Sequence, residues 1–266
     1  MSNPFDEAVD IQLEFDGRIL RGQYQIWNYP THRELCVYYN GRSDSATLTE
    51  DTDNVQLAMQ LFQQVVRNNY TRLDRIDADL PTAIREAAFH YVNDIEDDHP
   101  DNPDYLLSHT LVESFGDQSV GSLAHRRVSW LCVNVLKCVI PAWSASCDHP
   151  TAEHTFDQLV HHLRDGVAID NWDDLCRPAI ATRDGHRIVD CVACMVEPIA
   201  EGVANTAKYL RHGEPRIAGD VIWDAWCAQS EGAWRSETVS FQQWVVLVAL
   251  PAALDFRELE DASIYA

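Results

Sequence analysis

The 266-residue chain is long enough to bury one or two hydrophobic cores. Its formal net charge of −22 argues against nucleic acid or an anionic membrane as the main partner, because phosphate binding depends on Lys and Arg. Eight Cys are too few for a disulfide scaffold in a chain of this length. Most of them stand in apolar runs, where a free thiol behaves as a small hydrophobic group.

The N-terminal residues have neither the basic region nor the apolar region of a secretory signal. No run of about 18 apolar residues is present, and the apolar stretch at 244–254 is too short to span a bilayer. We therefore expect a cytoplasmic protein with no membrane partner and no cofactor.

The first hundred residues predict strands followed by two helices. Apolar and polar residues alternate on both sides of Asp16-Gly17 and of Asn40-Gly41, and both pairs are typical of two-residue hairpin turns. This pattern predicts a four-stranded antiparallel meander. Helical periodicity follows at 55–66 and 80–95, and we expect both helices to cover one face of the sheet as an α+β unit.

An acidic segment with two prolines, residues 95–105, predicts a linker between domains 1–104 and 105–266. The first 105 residues hold 20 acidic and 8 basic side chains, whereas the longer remainder holds 22 and 12, so the N-terminal unit is the more strongly acidic. A solvated turn is one interpretation of this segment. The functional alternative is a docking patch for a basic partner, formed by Glu96, Asp97, Asp98, Asp101 and Asp104.

The remainder of the chain predicts a mostly α-helical bundle built around residues 126–166. In the first helix of this stretch, the polar residues between Arg126 and Lys137 fall within an arc of roughly 160°, which predicts burial on most sides. Pro141 is expected to end that helix. Pro150 suits the start of the next helix, and Gly166 suits its C-terminal cap.

This helix pair resembles the fifth immunity family of bacterial polymorphic toxin systems. In that family the first helix has an Arg-rich start, a small or Cys-containing apolar body, and an ending with the pattern Leu/Ile-Pro-x-Trp. A second helix then begins at a Pro and ends at a Gly. The resemblance covers about residues 106–260 and implies an all-helical protein without catalytic residues. The matching positions are Arg126, Arg127, Cys132, Ile140, Pro141, Trp143, Pro150 and Gly166.

The N-terminal unit is similar to a small α+β family that accompanies toxin–immunity genes. Its pattern is a set of strands, a helix with Gln-x-x-Ala character and a short Tyr-bearing helix. The positions that fit this pattern are Gln56, Ala58, Phe62, Ile84 and Tyr91.

Four residues could bind a metal. His154 and His161 are seven apart and share a helix face, while Cys191 and Cys194 have the spacing of half a zinc site. A structural zinc site needs about four ligands, and the sequence holds no second Cys pair. Packing of the thiols in a core and solvation of the imidazoles are the ordinary interpretations.

These observations predict a non-enzymatic immunity protein that occludes the active site of a cognate bacterial toxin, for example a nuclease with a basic groove. The sequence contains no nucleophile elbow, phosphate-binding loop or dinucleotide-binding motif. The alternatives are a metal-dependent hydrolase using the His and Cys residues of 149–194, and an acidic scaffold or regulatory binding protein. An acidic surface would speed association with a basic partner.

Overall fold

A computed structural model of the chain describes residues 6–39, 42–49, 51–93, 103–186, 193–229 and 239–259. An antiparallel four-stranded sheet comes first and helices follow, which is the helix-rich α+β fold that the sequence predicts. The chain divides into two compact units, Met1–Thr71 and Arg72–Ala266.

The first unit contains the predicted meander. Neighbouring strands pair antiparallel in the order of the sequence. Asp16 and Gly17 both have positive φ, 52° and 76°, as a tight hairpin turn of this hand requires. The Asn40-Gly41 turn lies outside the described residues. The strands are β1 (Val9–Phe15), β2 (Arg18–Asn28), β3 (Arg33–Tyr39) and β4 (Arg42–Leu48).

One face of the sheet packs against helix α1 (Asn54–Asn69), and strand alternation decides which side chains are buried there. Leu35 and Val37 on β3 are wholly buried, while their neighbours on the other face are more exposed. Asp53 caps α1, because its carboxylate accepts hydrogen bonds from the backbone N–H groups of Val55 and Gln56, both at 3.1 Å. The prediction of a helix covering this sheet is therefore confirmed for α1.

Gly22 lies where the sheet and α1 approach each other closely. A Cβ atom at this position would lie 2.7 Å from Cε2 of the buried Phe62 ring and 2.8 Å from the backbone oxygen of Tyr38. Any side chain at residue 22 would therefore push the helix or the neighbouring strand away.

The second unit is helical. A 3₁₀ turn at Leu73–Arg75 precedes its helices, and a π-helical turn at Val245–Ala249 joins the last two. The helices are α2 (Thr82–Asn93), α3 (Pro103–Glu113), α4 (Leu123–Lys137), α5 (Ile140–Ser146), α6 (Thr151–Asp165), α7 (Trp172–His186), α8 (Ala193–His212), α9 (Pro215–Ala228), α10 (Phe241–Trp244) and α11 (Leu250–Leu254).

The structure draws the boundary between the units at a different place from the sequence. The division follows Thr71 rather than residue 104, and α2 contributes Ile84, Ala88 and Tyr91 to the core of the helical unit. The expectation that α2 covers the sheet is therefore corrected. An apolar stripe shows that a helix is buried, but it does not show which surface buries it.

Helix α4 lies at the centre of the helical unit. Every residue from Val128 to Leu136 is buried, so the predicted burial of this helix is confirmed. Two of these residues are polar, and both have internal partners. The Ser129 hydroxyl donates to the His125 carbonyl at 2.7 Å, and the Asn134 amide bonds to residues 257 and 259.

The segment 255–259 covers the polar side of α4. The Asn134 side chain donates to the Arg257 carbonyl and accepts from the Leu259 N–H, each at 3.0 Å. Lys137 forms an ion pair with Glu258 at 2.5 Å, and both side chains are mostly buried. A charged pair and two amide hydrogen bonds therefore replace water along this side of the helix.

The predicted helix ends are partly corrected. Helix α4 ends at Lys137, and Pro141 lies in the first turn of α5 rather than at the end of α4. Pro150 is the N-cap residue of α6, as expected for a helix start. Gly166 has a φ of 68° and its N–H bonds to the His162 carbonyl, which confirms the predicted C-terminal cap.

One described helical stretch, Leu123–Ser146, is long and apolar enough to cross a bilayer by length and composition. The sequence did not predict this. In the structure the stretch is divided into α4 and α5, and most of its side chains pack inside the helical unit. A buried core helix has the same composition as a membrane span, which makes this finding weak evidence for a membrane.

We predict that Gly22→Ala destabilises the protein by about 2 kcal/mol, because the new methyl group meets a backbone oxygen and a buried ring. Urea unfolding followed by circular dichroism measures the change. Ile19→Ala is the control on the same strand, since Ile19 is exposed and its loss should cost less than about 1 kcal/mol. Equal stabilities for Gly22→Ala and wild type would contradict the proposed close packing.

Candidate functional site

A groove of about 770 Å³ lies on the helical unit, between α6 and the segment that leads into α7. Polar and apolar side chains both line it. The groove is lined by Thr151, His154, Thr155, Gln158, His161, Val167, Ala168, Ile169, Asp170, Asn171, Asp174, Leu175 and Pro178.

The first wall is the polar face of α6. His154, Gln158 and His161 recur at helical spacing, so they project from one side of the helix. The opposite side carries Phe156 and Leu159, which are buried in the core. The amphipathic pattern of α6 therefore fixes both its orientation and the residues it presents to the groove.

The second wall begins where Gly166 turns the chain out of α6. Residues 167–170 are mostly exposed, and Asn171 then starts α7 by accepting hydrogen bonds from the N–H groups of Asp173 and Asp174, at 3.1 and 3.2 Å. The Asn171 side-chain amide also donates to the Asp174 carboxylate. This cap brings Asp170 and Asp174 to the groove.

A buried threonine joins the two walls. Thr155 lies beneath the groove, and its hydroxyl bonds to the carbonyls of Leu175 on α7 and Thr151 on α6, both at 3.0 Å. Pro178, one turn after Asp174, has no N–H to donate within α7. The carbonyl that Pro178 leaves without a helical donor is that of Asp174, so the Thr155 hydroxyl bonds to the neighbouring carbonyl and joins α6 to α7 there.

His162 supports the second wall rather than lining the groove. Its Nδ1 donates to the Val167 carbonyl at 2.7 Å, because a carbonyl oxygen can only accept. Its ring also meets the edge of Trp172, with ring centroids 5.2 Å apart. These contacts hold the loop between α6 and α7 against α6.

Several carboxylates lie on α6, on α7 and in the loop between them, and two of these, Asp170 and Asp174, line the groove. Glu153, Asp157 and Asp170 form no ion pair with any residue that the structure describes. Asp174 is already paired with Arg177 at 2.5 Å, and both side chains are exposed. The unpaired carboxylates remain available to a cation from outside the chain.

The proposed metal ligands are only partly described. His154 and His161 both line the groove, about 10 Å apart along the helix axis by their spacing. Cys191 and the side chain of Cys194 lie outside the described residues. No group of three or more His, Cys, Asp or Glu in the described ranges is arranged to hold a metal ion. The hydrolase alternative stays a prediction.

The side chains of the predicted docking patch also lie outside the described part of the chain. Glu96, Asp97, Asp98 and Asp101 are not among the described residues. Asp104 belongs to the first turn of α3, but its side chain is not described. Sequence reasoning did not predict a groove at 151–178, although the polar face of α6 was visible in the sequence.

The residues that carry the family resemblance have structural roles where they are described. Cys132 and Trp143 are buried in the core, and Pro150 and Gly166 delimit α6. The Arg126 guanidinium lies 4.8 Å from the centre of the Phe256 ring, on the side of α4 that segment 255–259 covers. The described residues among these positions therefore contribute to packing and to helix ends.

Asp224 is a buried carboxyl that sequence reasoning missed. It lies on α9 among the core residues Val221 and Ala225, and Asn205 of α8 donates to its Oδ2 at 3.0 Å. Burial raises the pKa of Asp224 to about 8, although the Asn205 hydrogen bond opposes this shift. An aspartate within the apolar arc of α9 was the signal that could have revealed it.

Asp224 lies where helices α8 and α9 pack against each other. A Cβ atom at Gly202 of α8 would lie 3.4 Å from the Asp224 Cβ and 2.7 Å from Cδ2 of Leu136. The glycine therefore allows α8 to pack closely over the carboxyl. We assign Asp224 to the α8–α9 interface rather than to the groove.

Comparison with protein-family models, with curated proteins and with solved structures found no match to this chain.

We predict that Asp224→Asn is more stable than wild type at alkaline pH. The folded-state pKa of about 8 exceeds that of an unfolded carboxyl, so wild-type stability falls as the pH rises from about 4 to about 8. Asn has nearly the same shape as Asp and cannot ionise, so the stability difference between the variant and wild type should grow by on the order of 5 kcal/mol over this window. Urea titrations across the window measure it.

Asp157→Asn is the matched control, because Asp157 is exposed on α6. Growth of the same size in Asp157→Asn would show that the effect does not depend on burial of the carboxyl. A constant difference between Asp224→Asn and wild type over the whole range would show that the carboxyl is not buried.

We predict that Thr155→Val destabilises the helical unit by about 1 to 2 kcal/mol, because the Leu175 carbonyl loses its side-chain donor without a change of shape. Thr110→Val is the control, since Thr110 is an exposed helical threonine that bonds only to its own helix. Denaturant unfolding compares the two variants. A larger loss in Thr110→Val would contradict the role assigned to Thr155.

Proposed function

We propose that this protein is a non-enzymatic immunity protein that binds a basic bacterial toxin and occludes its active site. The single observation that carries the proposal is a preformed groove beside carboxylates that lack ion-pair partners in the described structure. The chain as a whole carries a net charge of −22, so its field attracts a cationic partner.

The groove has the composition of a contact surface. Val167 is 53% exposed, and it lines the groove together with the half-buried Ile169. Apolar anchors hold a complex, while charges at the edge mainly steer association. A partner segment with a basic residue and an adjacent apolar side chain would satisfy both parts of this surface.

The walls of the groove are already ordered by internal bonds. Thr155 joins α6 to α7, Asn171 caps α7, and His162 holds the intervening loop. Binding therefore requires little further ordering of the chain, which reduces the entropic cost of association.

The decisive experiment is a rescue assay. The C-terminal domain encoded by the gene immediately upstream is expressed with and without this protein. We expect the domain to stop growth alone and to be neutralised when this protein is present. An upstream product that is harmless, or toxicity that persists with this protein present, would contradict the immunity function.

Variants locate the contact surface. We predict that Asp157→Asn combined with Asp170→Asn slows association with the toxin and weakens binding on the order of tenfold, because two unpaired carboxylates are lost. Surface plasmon resonance at low and physiological salt measures both rates. Glu113→Gln, at an exposed position on α3, is the control and should leave binding unchanged.

A second variant tests the docking patch predicted from the sequence. Replacing Asp97, Asp98, Asp101 and Asp104 together by Asn measures the contribution of that segment. Loss of binding in this variant, with no effect in the groove variant, would move the contact surface from the groove to the acidic segment.

A further inference from the structure

The sheet of the first unit has a second face, which α1 does not cover. Strand alternation places every other side chain there, and most of them are exposed or half-buried. The described positions of this open face are Asp10, Gln12, Glu14, Ile19, Arg21, Gln23, Gln25, Trp27, Glu34, Cys36, Tyr38, Ser43, Ser45 and Thr47.

Aromatic rings gather at one end of the open face. Trp27 and Tyr29 are nearly parallel, with centroids 6.5 Å apart, and Tyr29 and His32 stack at 4.8 Å. Tyr29 and Tyr38 are 43% and 38% exposed. We call Trp27, Tyr29, His32 and Tyr38 the aromatic platform. Exposed aromatic groups of this size are characteristic of binding surfaces.

A carboxylate adjoins the aromatic platform. Glu34 lies directly opposite Trp27 in the β2–β3 register, on the same face, so their Cβ atoms are roughly 5 Å apart. The Ser45 hydroxyl donates to Glu34 Oε1 at 2.6 Å and holds the carboxylate on this face. The second oxygen has no hydrogen-bond donor among the described residues.

Arg33 is engaged elsewhere, and Arg21 is distant from Trp27. Arg33 donates from Nε to the Asn28 side chain at 3.2 Å. Arg21 shares the open face but is six residues from Trp27 on the same strand, a distance of roughly 20 Å. Glu34 therefore has no ion-pair partner within the described part of the chain.

We propose that the aromatic platform and Glu34 together bind the guanidinium group of an arginine side chain on a basic protein partner. The flat, weakly hydrated guanidinium stacks on aromatic faces and can bond to a carboxylate at the same time. A lysine ammonium is more strongly hydrated and cannot stack, so it fits this pair of features less well. The proposal rests on the proposed function in one respect, because it takes the partner to be a basic protein.

Charge selects this ligand over a sugar, which also stacks on aromatic rings. A chain with a net charge of −22 attracts cations, whereas a neutral sugar gains nothing from that field. The described charges on the open face are Asp10, Glu14, Glu34 and Arg21, so the face itself is negative.

The first test uses the full-length protein and a blocked hexapeptide of alternating Gly and Arg. Trp27 is the only tryptophan in residues 1–71, so its indole ¹⁵N–H signal in NMR reports on the platform, and Trp27→Phe assigns it. We expect this signal to shift with the arginine peptide, less with the lysine analogue, and not with the uncharged citrulline analogue.

Variants then separate a specific site from general attraction. Glu34→Gln and Trp27→Leu should each weaken peptide binding about three- to fivefold by calorimetry, whereas Trp27→Phe should weaken it less. Glu14→Gln is the matched control, because it removes the same charge at the far end of the same face. Circular dichroism checks that each variant remains folded.

Three results would overturn the proposal. Equal losses in Glu34→Gln and Glu14→Gln would show diffuse charge attraction. Unchanged peptide binding in Trp27→Leu would show that the Trp27 ring does not contribute to the site. A shift of the Trp27 signal by maltotriose but not by the arginine peptide would assign the platform to sugars. The peptide experiments use no toxin. Failure of the rescue assay would therefore leave the peptide-binding result unchanged, and failure of peptide binding would leave the rescue result unchanged.

Discussion

The burial of α4 from Val128 to Leu136 is the constraint on which the helical unit depends. A helix buried on every side cannot offer its polar side chains to water, so each needs an internal partner. Ser129 bonds to the backbone of its own helix, but Asn134 needs groups from elsewhere in the chain. Segment 255–259 supplies them, together with the carboxylate that pairs with Lys137. The same burial requires α8, α9 and α11 to pack around α4.

The groove is a consequence of how α6 meets this core. The apolar side of α6 is used for packing, so its polar side remains at the surface next to the turn at Gly166. The loop after that turn cannot continue the helix, and the Asn171 cap starts α7 at a fixed distance from α6. Two helices joined by a short, bonded loop leave a groove whose shape is set by hydrogen bonds between ordered side chains and the backbone.

Local chemistry made much of the fold predictable from the sequence. Asp16-Gly17 specified a hairpin and Gly166 specified a helix end, because few other residues adopt positive φ. The position of α2 was not predictable, because its apolar stripe fits either a sheet or a helical core. The groove and the Asp224–Asn205 pair depend on residues brought together by tertiary packing. The pairing of Glu34 with Trp27 across β2 and β3 was predictable in principle once the hairpins were known. The exposure of these two side chains was not predictable.

The bonds between Asn134 and segment 255–259 also affect the order in which the chain becomes structured during synthesis. Asn134 is separated from Arg257 by 123 residues, which a ribosome adds in about 6 to 25 s at ordinary elongation rates. The sheet of the first unit pairs only neighbouring strands, so all its partners leave the ribosome early. During that interval the first unit can complete its fold while the polar side of α4 still faces water. The helical unit can therefore complete the packing around α4 only after that interval.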